Sequence, residues 1–123
     1  MNALDLVKNN VRRGEVYWVD FYPAIGTEIQ KIRPAVVISI DRFNQLGVRF
    51  LVVPFTSSTK EAKIFEIPVL FNAEKGKIIV DQIRIVDRLR LKSYIGKVNQ
   101  SVLEKINEKL NLMTGFKNYK LIK

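Results

Sequence analysis

The sequence predicts a mainly β domain, a small and strongly bent β-barrel with one C-terminal helix laid against it. Three observations predict it. The middle of the chain is a succession of short β-branched, aromatic and aliphatic runs of strand length. The one convincing long helical periodicity comes last, after Gln100. About five or six short antiparallel strands expose edges unless the sheet closes on itself, which favours a barrel. The chain has 123 residues, 47% of them hydrophobic and 27% charged. That is one domain, long enough to bury roughly two-thirds of its unfolded surface.

Each element has its own signal. Glu15 to Tyr22 is aromatic and β-branched and stops at Pro23. Pro34 to Ile40 is continuously apolar, as in a strand buried on both faces. Arg49 to Phe55 is similar, and Pro54, which cannot donate to a ladder, is expected at an edge or strand end. Lys63 to Leu70 follows. Lys77 to Val86 reads as one long strand, with Ile78, Val80, Gln82, Arg84 and Val86 on one face. Tyr94 to Val98 makes a last short strand. Ser101 to Glu104 has capping-box spacing, and Val102, Leu103, Ile106, Leu110 and Met113 form an apolar stripe behind it. Gly115 stands where a helix C-terminal cap belongs. Asp41 to Val48 and Phe71 to Gly76 read as ordinary turns. Pro23 to Arg33 is long for a compact domain, and such loops often carry function. The domain reading is a single unit over 1–123, with 1–12 an N-terminal extension and 101–114 the C-terminal helix.

Composition narrows the chemistry. There are 21 basic and 12 acidic residues, a net charge of +9, which favours an acidic partner such as nucleic acid, an anionic membrane surface or an acidic protein. There is no cysteine and no histidine. Thiolate nucleophiles, zinc–cysteine sites, Ser-His-Asp catalysis and histidine-bound metals are thereby excluded. Neither a membrane span nor a secretory leader is legible, so the expected location is the cytoplasm.

The best candidate anion site pairs an arginine with hydroxyls. Arg33 precedes Pro34, which restricts its backbone to the extended region, and its guanidinium can grip a phosphate bidentately. Thr56 and Ser57 open a run of four hydroxyl residues at a strand end and can add neutral donors. The alternative is a solvated arginine beside turn residues. Asp81 interrupts an apolar run, either as a general base with a raised pKa, as an orienter of Arg33 or Arg84, or as half of a buried ion pair. Gln82 can read a base edge or cap a backbone group. Glu28 is a loop carboxylate and an understudy for the base. Trp18, Phe21 and Tyr22 can stack on bases or fill the core. Arg84, Arg88, Arg90, Lys92 and Lys97 form the densest basic stretch, a phosphate track or a solvated face. Lys117, Lys120 and Lys123 read as a soluble tail.

Taken in order, these pieces resemble the MazF/PemK family of toxins: Arg13-Gly14-Glu15-Val16-Tyr17-Trp18, Gly26-Thr27-Glu28 leading to Arg33-Pro34-Ala35-Val36-Val37-Ile38, Val53-Pro54-Phe55-Thr56-Ser57, and Asp81-Gln82-Ile83-Arg84. The match runs from about Arg13 to the final helix. It implies an SH3-like barrel, shared with the CcdB toxins, and a homodimer. It implies a type II toxin–antitoxin toxin that cuts single-stranded mRNA sequence-specifically without metal or other cofactor, inhibits growth, is silenced by an acidic antitoxin, and binds DNA as the toxin–antitoxin complex. Carried over by position, Arg33, Thr56 and Asp81 are the implied catalytic residues. Thr27, Glu28, Ser57, Gln82, Arg84, Arg88 and Arg90 are the expected substrate contacts. Two positions depart from the family: Thr27 stands where some members have histidine, and Ile79 where some have arginine before the Asp-Gln pair.

RNA carries its own nucleophile in the 2′-hydroxyl, so such cleavage needs alignment, charge stabilisation and two proton transfers. Arg33 and Thr56 suit the phosphate, and Asp81 or Glu28 the hydroxyl. A proton-transfer role for the arginine conflicts with a guanidinium pKa above about 12. Two competing readings are a gyrase-binding poison on the same barrel and a basic RNA-binding module without activity.

Overall fold

A computed structural model describes residues 10–116. It is mainly β with a C-terminal helix, as the sequence predicts. The strands are β1 (Glu15–Asp20), β2 (Ile32–Val37), β3 (Arg49–Thr56), β4 (Glu66–Phe71), β5 (Glu74–Ile79), β6 (Arg84–Asp87) and β7 (Leu91–Lys97). A single helical turn, α1 (Asp41–Asn44), lies between β2 and β3, where the sequence suggests a plain turn. The long helix is α2 (Gln100–Met113). The N-terminal residues 1–9 and the lysine tail at 117, 120 and 123 lie outside the described residues.

Hydrogen bonding orders the strands β4-β5-β3-β2-β1-β7, with β6 on β3, and all the described pairs are antiparallel. Closure by a continuous ladder is therefore a correction: among the described residues β4 and β7 do not pair. The two ends approach through side chains instead. A Cβ on Gly96 of β7 would come within 3.2 Å of the Phe71 ring on β4. A β-carbon at position 96 would push the Phe71 ring by a few tenths of an ångström, so the two ends meet by packing of that ring on the Gly96 backbone.

The two central strands, β2 and β3, bury both faces. Ala35, Val37, Phe50 and Val52 join Tyr17, Val19, Phe21, Val86 and Leu91 in one cluster. Val36, Ile38, Val53 and Phe55 join Ile67, Ile78, Val80, Leu103 and Ile106 in the other. This is the two-sided burial that the run Pro34 to Ile40 predicts. Val11 is only 2% exposed within the first cluster, so the predicted N-terminal extension already belongs to the core by that residue. Behind it the Arg13 amide donates to Asp41 Oδ1 at 2.7 Å.

Pro54 lies in the middle of the sheet, not at an edge, and its pairing explains why this is tolerated. The Ile38 amide donates to the Leu51 carbonyl, which sets the register Val36↔Val53 and Ala35↔Pro54. In that alternation the Pro54 nitrogen faces away from β2. On that flank β3 leaves β6 after Val52 and meets β5 from Phe55. The missing donor falls in the gap between partners.

The long strand predicted over Lys77 to Val86 is broken. Val80–Gln82 forms a 3-10 turn, after which β6 pairs with the opposite end of β3. Asp81 sits exposed on this corner. A carboxylate inside an apolar run marks the corner because burial there, unpaired, costs several kcal/mol, on the order of 2–7 even for a neutral polar group. The helix also begins earlier than its capping-box spacing suggests. Asn99 is the N-cap, its Oδ1 accepting from the Val102 amide at 3.1 Å and from the Ser101 hydroxyl at 2.8 Å. Gly115 ends it as predicted, at φ +74°, with Gly115 bonding to Leu112 and Phe116 to Asn111, a Schellman motif.

Candidate active site

Arg33 and Thr56 come together in one cavity of about 240 Å³. Arg33 is the second residue of β2 and Thr56 the last of β3. The rest of the lining is Trp18, Ile32, Pro34, Phe55, Ser57, Val69, Phe71, Glu74, Lys75 and Gly76. Trp18 and Pro34 are cross-strand partners between β1 and β2. The floor comes from the β4–β5 hairpin, whose pairs Phe71↔Glu74 and Val69↔Gly76 present one face to the cavity.

Both side chains are held by local bonds. Arg33 Nε donates to the Gln30 carbonyl at 3.0 Å, which fixes the guanidinium at the root of the loop. Its two terminal nitrogens make no protein bond among the described residues. The Thr56 hydroxyl oxygen accepts from the Ser58 amide at 3.3 Å, leaving its own proton to donate elsewhere. Across the ladder from Thr56 lies Lys77, buried and paired to Glu66 at 2.8 Å. The Glu66 carboxyl is held below the usual carboxylate range, first by the Lys63 amide and then by the Lys77 ammonium.

Gly76 is a contact that sequence reasoning missed. A Cβ there would stand 2.4 Å from the Thr56 carbonyl oxygen, so only glycine lets β3 end against the hairpin. Glu74, Lys75, Val69 and Phe71 were missed as well. The sequence reading gives Phe71 to Gly76 to a turn, whereas the structure confines the turn to Asn72 and Ala73 and pairs the rest in the β4–β5 ladder that faces the cavity.

The remaining predicted residues serve the long loop. Gln82 Oε1 accepts from the Ile29 amide at 3.1 Å, and its Nε2 donates to the Thr27 carbonyl at 3.4 Å. Of the two readings of Gln82, the structure shows the backbone cap. Glu28 closes the loop on itself, accepting from the Ile25 amide at 2.7 Å. Arg84 donates to the Phe21 carbonyl, and Arg90 to the carbonyls of Asp20 and Tyr22. These two arginines clamp the end of β1, while Lys92 and Lys97 of the same basic stretch are exposed. Arg88 opens the short 3-10 turn after β6. Among the described residues Asp81 is exposed and makes no ion pair, in place of the buried pair considered for it, and it does not line the cavity. Phe21 is fully buried, whereas Trp18 is 40% and Tyr22 50% exposed. Cations at the cavity come instead from Lys75 and, in an adjoining depression of about 410 Å³, from Lys60 beside Ser58 and Thr59.

A curled antiparallel sheet, a C-terminal helix and an arginine–threonine cavity at two strand ends define the class. The family model for the PemK-like, MazF-like toxin of type II toxin–antitoxin systems matches residues 12–114, and the chain belongs to that family. Among curated relatives, endoribonuclease MazF9 of Mycobacterium tuberculosis is 39% identical over 113 residues, 83% of this chain and 94% of that one. Endoribonuclease EndoA of Bacillus subtilis is 31% identical over 107 residues, 83% of this chain and 92% of that one. Among solved structures, MazF from Deinococcus radiodurans superposes with a TM-score of 0.77 at 27% identity, covering 85% of this chain and 96% of that one. A mycobacterial endoribonuclease in complex with its cognate antitoxin shares the fold, with a TM-score of 0.71 at 21% identity over 87% and 97% of the two chains.

Proposed function

We propose that this protein is the toxin of a type II toxin–antitoxin pair and acts as a sequence-specific, metal-independent endoribonuclease on single-stranded mRNA. The observation that carries the reading is the convergence of Arg33 and Thr56 in one cavity. Two nitrogens and one hydroxyl proton are available there to a phosphate. Relatives named endoribonucleases, matched over most of their length, support the same reaction.

In this reaction the 2′-hydroxyl attacks the adjacent phosphorus. The O2′–P bond forms, the P–O5′ bond breaks, and a 2′,3′-cyclic phosphate and a 5′-hydroxyl result. Arg33 and Thr56 stabilise the charge gathering on the phosphate oxygens. The 2′-hydroxyl proton goes to a carboxylate, and the family resemblance assigns it to Asp81, which is exposed outside the cavity and would act on the part of the RNA that extends beyond Arg33 and Thr56. Asp81 stands beside Gln82, which grips the loop leading to Arg33. The departing 5′ oxygen takes its proton from water. Metal independence is proposed from the composition, which offers no histidine or cysteine as a metal ligand.

The rest of the reading follows the substrate. An mRNA-cutting toxin acts in the cytoplasm, and no helix among the described residues is long and apolar enough to cross a membrane. Its inhibitor is an acidic antitoxin, matched to the +9 chain. The proposed assembly is a homodimer, supported by the family resemblance and by β7, the last strand of the sheet, with Tyr94 half exposed. The test is cleavage of a long RNA in EDTA, with mapping of the cut ends and their chemistry. Cyclic phosphate ends in EDTA are the expected result. Activity that needs magnesium, or a DNA strand cut as well as RNA, overturns the mechanism.

A further inference from the structure

The cavity beside Arg33 and Thr56 has a feature that phosphate chemistry does not use. Its walls are mostly apolar, with Trp18 40% exposed on one side and Phe71 on the floor. Its volume of about 240 Å³ lies below the roughly 300–1,000 Å³ of pockets for drug-sized ligands, a scale for one nucleobase. At its rim stands one carboxylate, Glu74. Among the described residues the Glu74 carboxylate has no hydrogen bond and no ion pair, so both oxygens remain to accept.

The Glu74 backbone is fixed. It follows a two-residue turn in which Asn72 and Ala73 both have positive φ, +50° and +64°, and it pairs with Phe71. A rigid hairpin roots the Glu74 side chain beside an aromatic floor. Single-stranded RNA is read in this manner, by stacking on aromatic rings and by hydrogen bonds to exposed Watson–Crick edges.

We propose that Trp18 and Glu74 form a base-selective subsite that takes a guanine flanking the scissile phosphate. A carboxylate has two parallel acceptors and no donor. The guanine Watson–Crick edge offers two adjacent donors, N1–H and the N2 amine, which match it. Adenine and cytosine offer one amine beside a ring acceptor that a carboxylate repels. Uracil offers one N–H between two carbonyl oxygens, and both oppose the charge. Trp18 supplies a stacking face for whichever base enters, and Glu74 supplies the selection.

This inference rests on the cleavage reading above and is tested so that the two fail separately. Full-length protein and Glu74→Gln are assayed by single-turnover cleavage of short RNAs. The RNAs carry guanosine, inosine, adenosine, cytidine or uridine at each flank of the cut site. Inosine lacks only the N2 amine. The wild type is expected to prefer guanosine at one flank and to cleave the inosine substrate about ten- to hundredfold more slowly, the scale of one charge-assisted hydrogen bond. Glu74→Gln, with a single acceptor oxygen, is expected to shrink that guanosine-to-inosine ratio to below about threefold. Equal cleavage of guanosine and inosine by the wild type overturns the subsite while leaving the nuclease standing. A Glu74→Gln variant that slows all substrates equally makes Glu74 a proton-transfer group and also overturns it. No cleavage of any RNA by the wild type removes the underlying reading instead.

Discussion

Arg33 lies near the start of β2 and Thr56 at the end of β3, where truncation removes few core contacts, so a loss of chemistry is expected there without a loss of stability. Arg33→Ala and Thr56→Ala are expected to lower single-turnover cleavage by about 10²- to 10³-fold, the usual effect of removing one preorganised donor. Their thermal unfolding should stay within a few degrees of the wild type. Glu66 behaves oppositely. The Lys63 amide and the Lys77 ammonium hold its carboxyl below its unfolded value. The stabilisation is thus complete above the ordinary glutamate range and lost as pH falls through the lower folded value. Glu66→Gln is expected to destabilise the protein at pH 7 and to flatten the acid limb of its stability curve, as measured by urea denaturation between about pH 2 and 7. Tyr17 gives the alkaline counterpart. Burial first, then its hydrogen bond to Glu15 at 2.9 Å, raises its phenol well above the usual tyrosine value. Its contribution is full below about pH 10 and falls as pH rises further, and Tyr17→Phe is expected to remove that alkaline loss.

Among the elements, the β4–β5 hairpin decides the shape of the site. Gly76→Ala places a methyl 2.4 Å from the Thr56 carbonyl, a backbone atom that cannot swing aside. The variant is expected to lose activity with Arg33 and Thr56 both intact. Ala73→Gly tests the turn in the other direction. An alanine at φ +64° is strained by roughly 1–2 kcal/mol, and Asn-Gly is the favoured pair for such a turn. The substitution is expected to raise stability by up to about 1 kcal/mol, read as a higher urea midpoint, and to leave cleavage unchanged. These elements also show how far the sequence was legible. Arg33, Thr56 and Ser57 could be read because the signals are local: a proline fixes one backbone, and a hydroxyl run ends a strand. The corner at Asp81 was read as continuous strand because a 3-10 turn between two apolar runs keeps their periodicity. Asn99 was passed over because Ser101 and Glu104 imitate a capping box two residues later, and asparagine caps as well as serine does. Gly76 and Glu74 were illegible because their meaning lies across the ladder, in the Thr56 carbonyl and the Phe71 ring. No local signal carries such a pairing.

At the scale of the whole molecule, a net charge of +9 has to meet both an RNA and an acidic inhibitor. Both are expected at the same face. Lys60 and Lys75 line the depressions at the cavity, and Arg33 stands within it. The loop from Phe21 to Lys31 borders that face and is tied down by Gln82, Arg84 and Arg90 through its backbone carbonyls and amides. An antitoxin segment that laid carboxylates along Lys60 and Lys75, with an apolar side chain in the cavity against Trp18, would occupy the place of the base and its phosphate together. RNA and antitoxin are therefore expected to exclude one another. The measurement uses an RNA with a 2′-deoxy sugar at the scissile position, bound in the presence of rising antitoxin peptide at several salt concentrations. RNA affinity should fall linearly in log salt with a slope of about −0.7 per phosphate contacted. Lys60→Ala and Lys75→Ala should each flatten that slope without moving the cut site, whereas Arg90→Ala should loosen the loop and leave the slope nearly intact. Saturating peptide should abolish RNA binding at every salt concentration, because the exclusion is steric as well as electrostatic. A stable ternary complex with unaltered RNA affinity would place the inhibitor on another surface, and the +9 charge would then serve two separate sites.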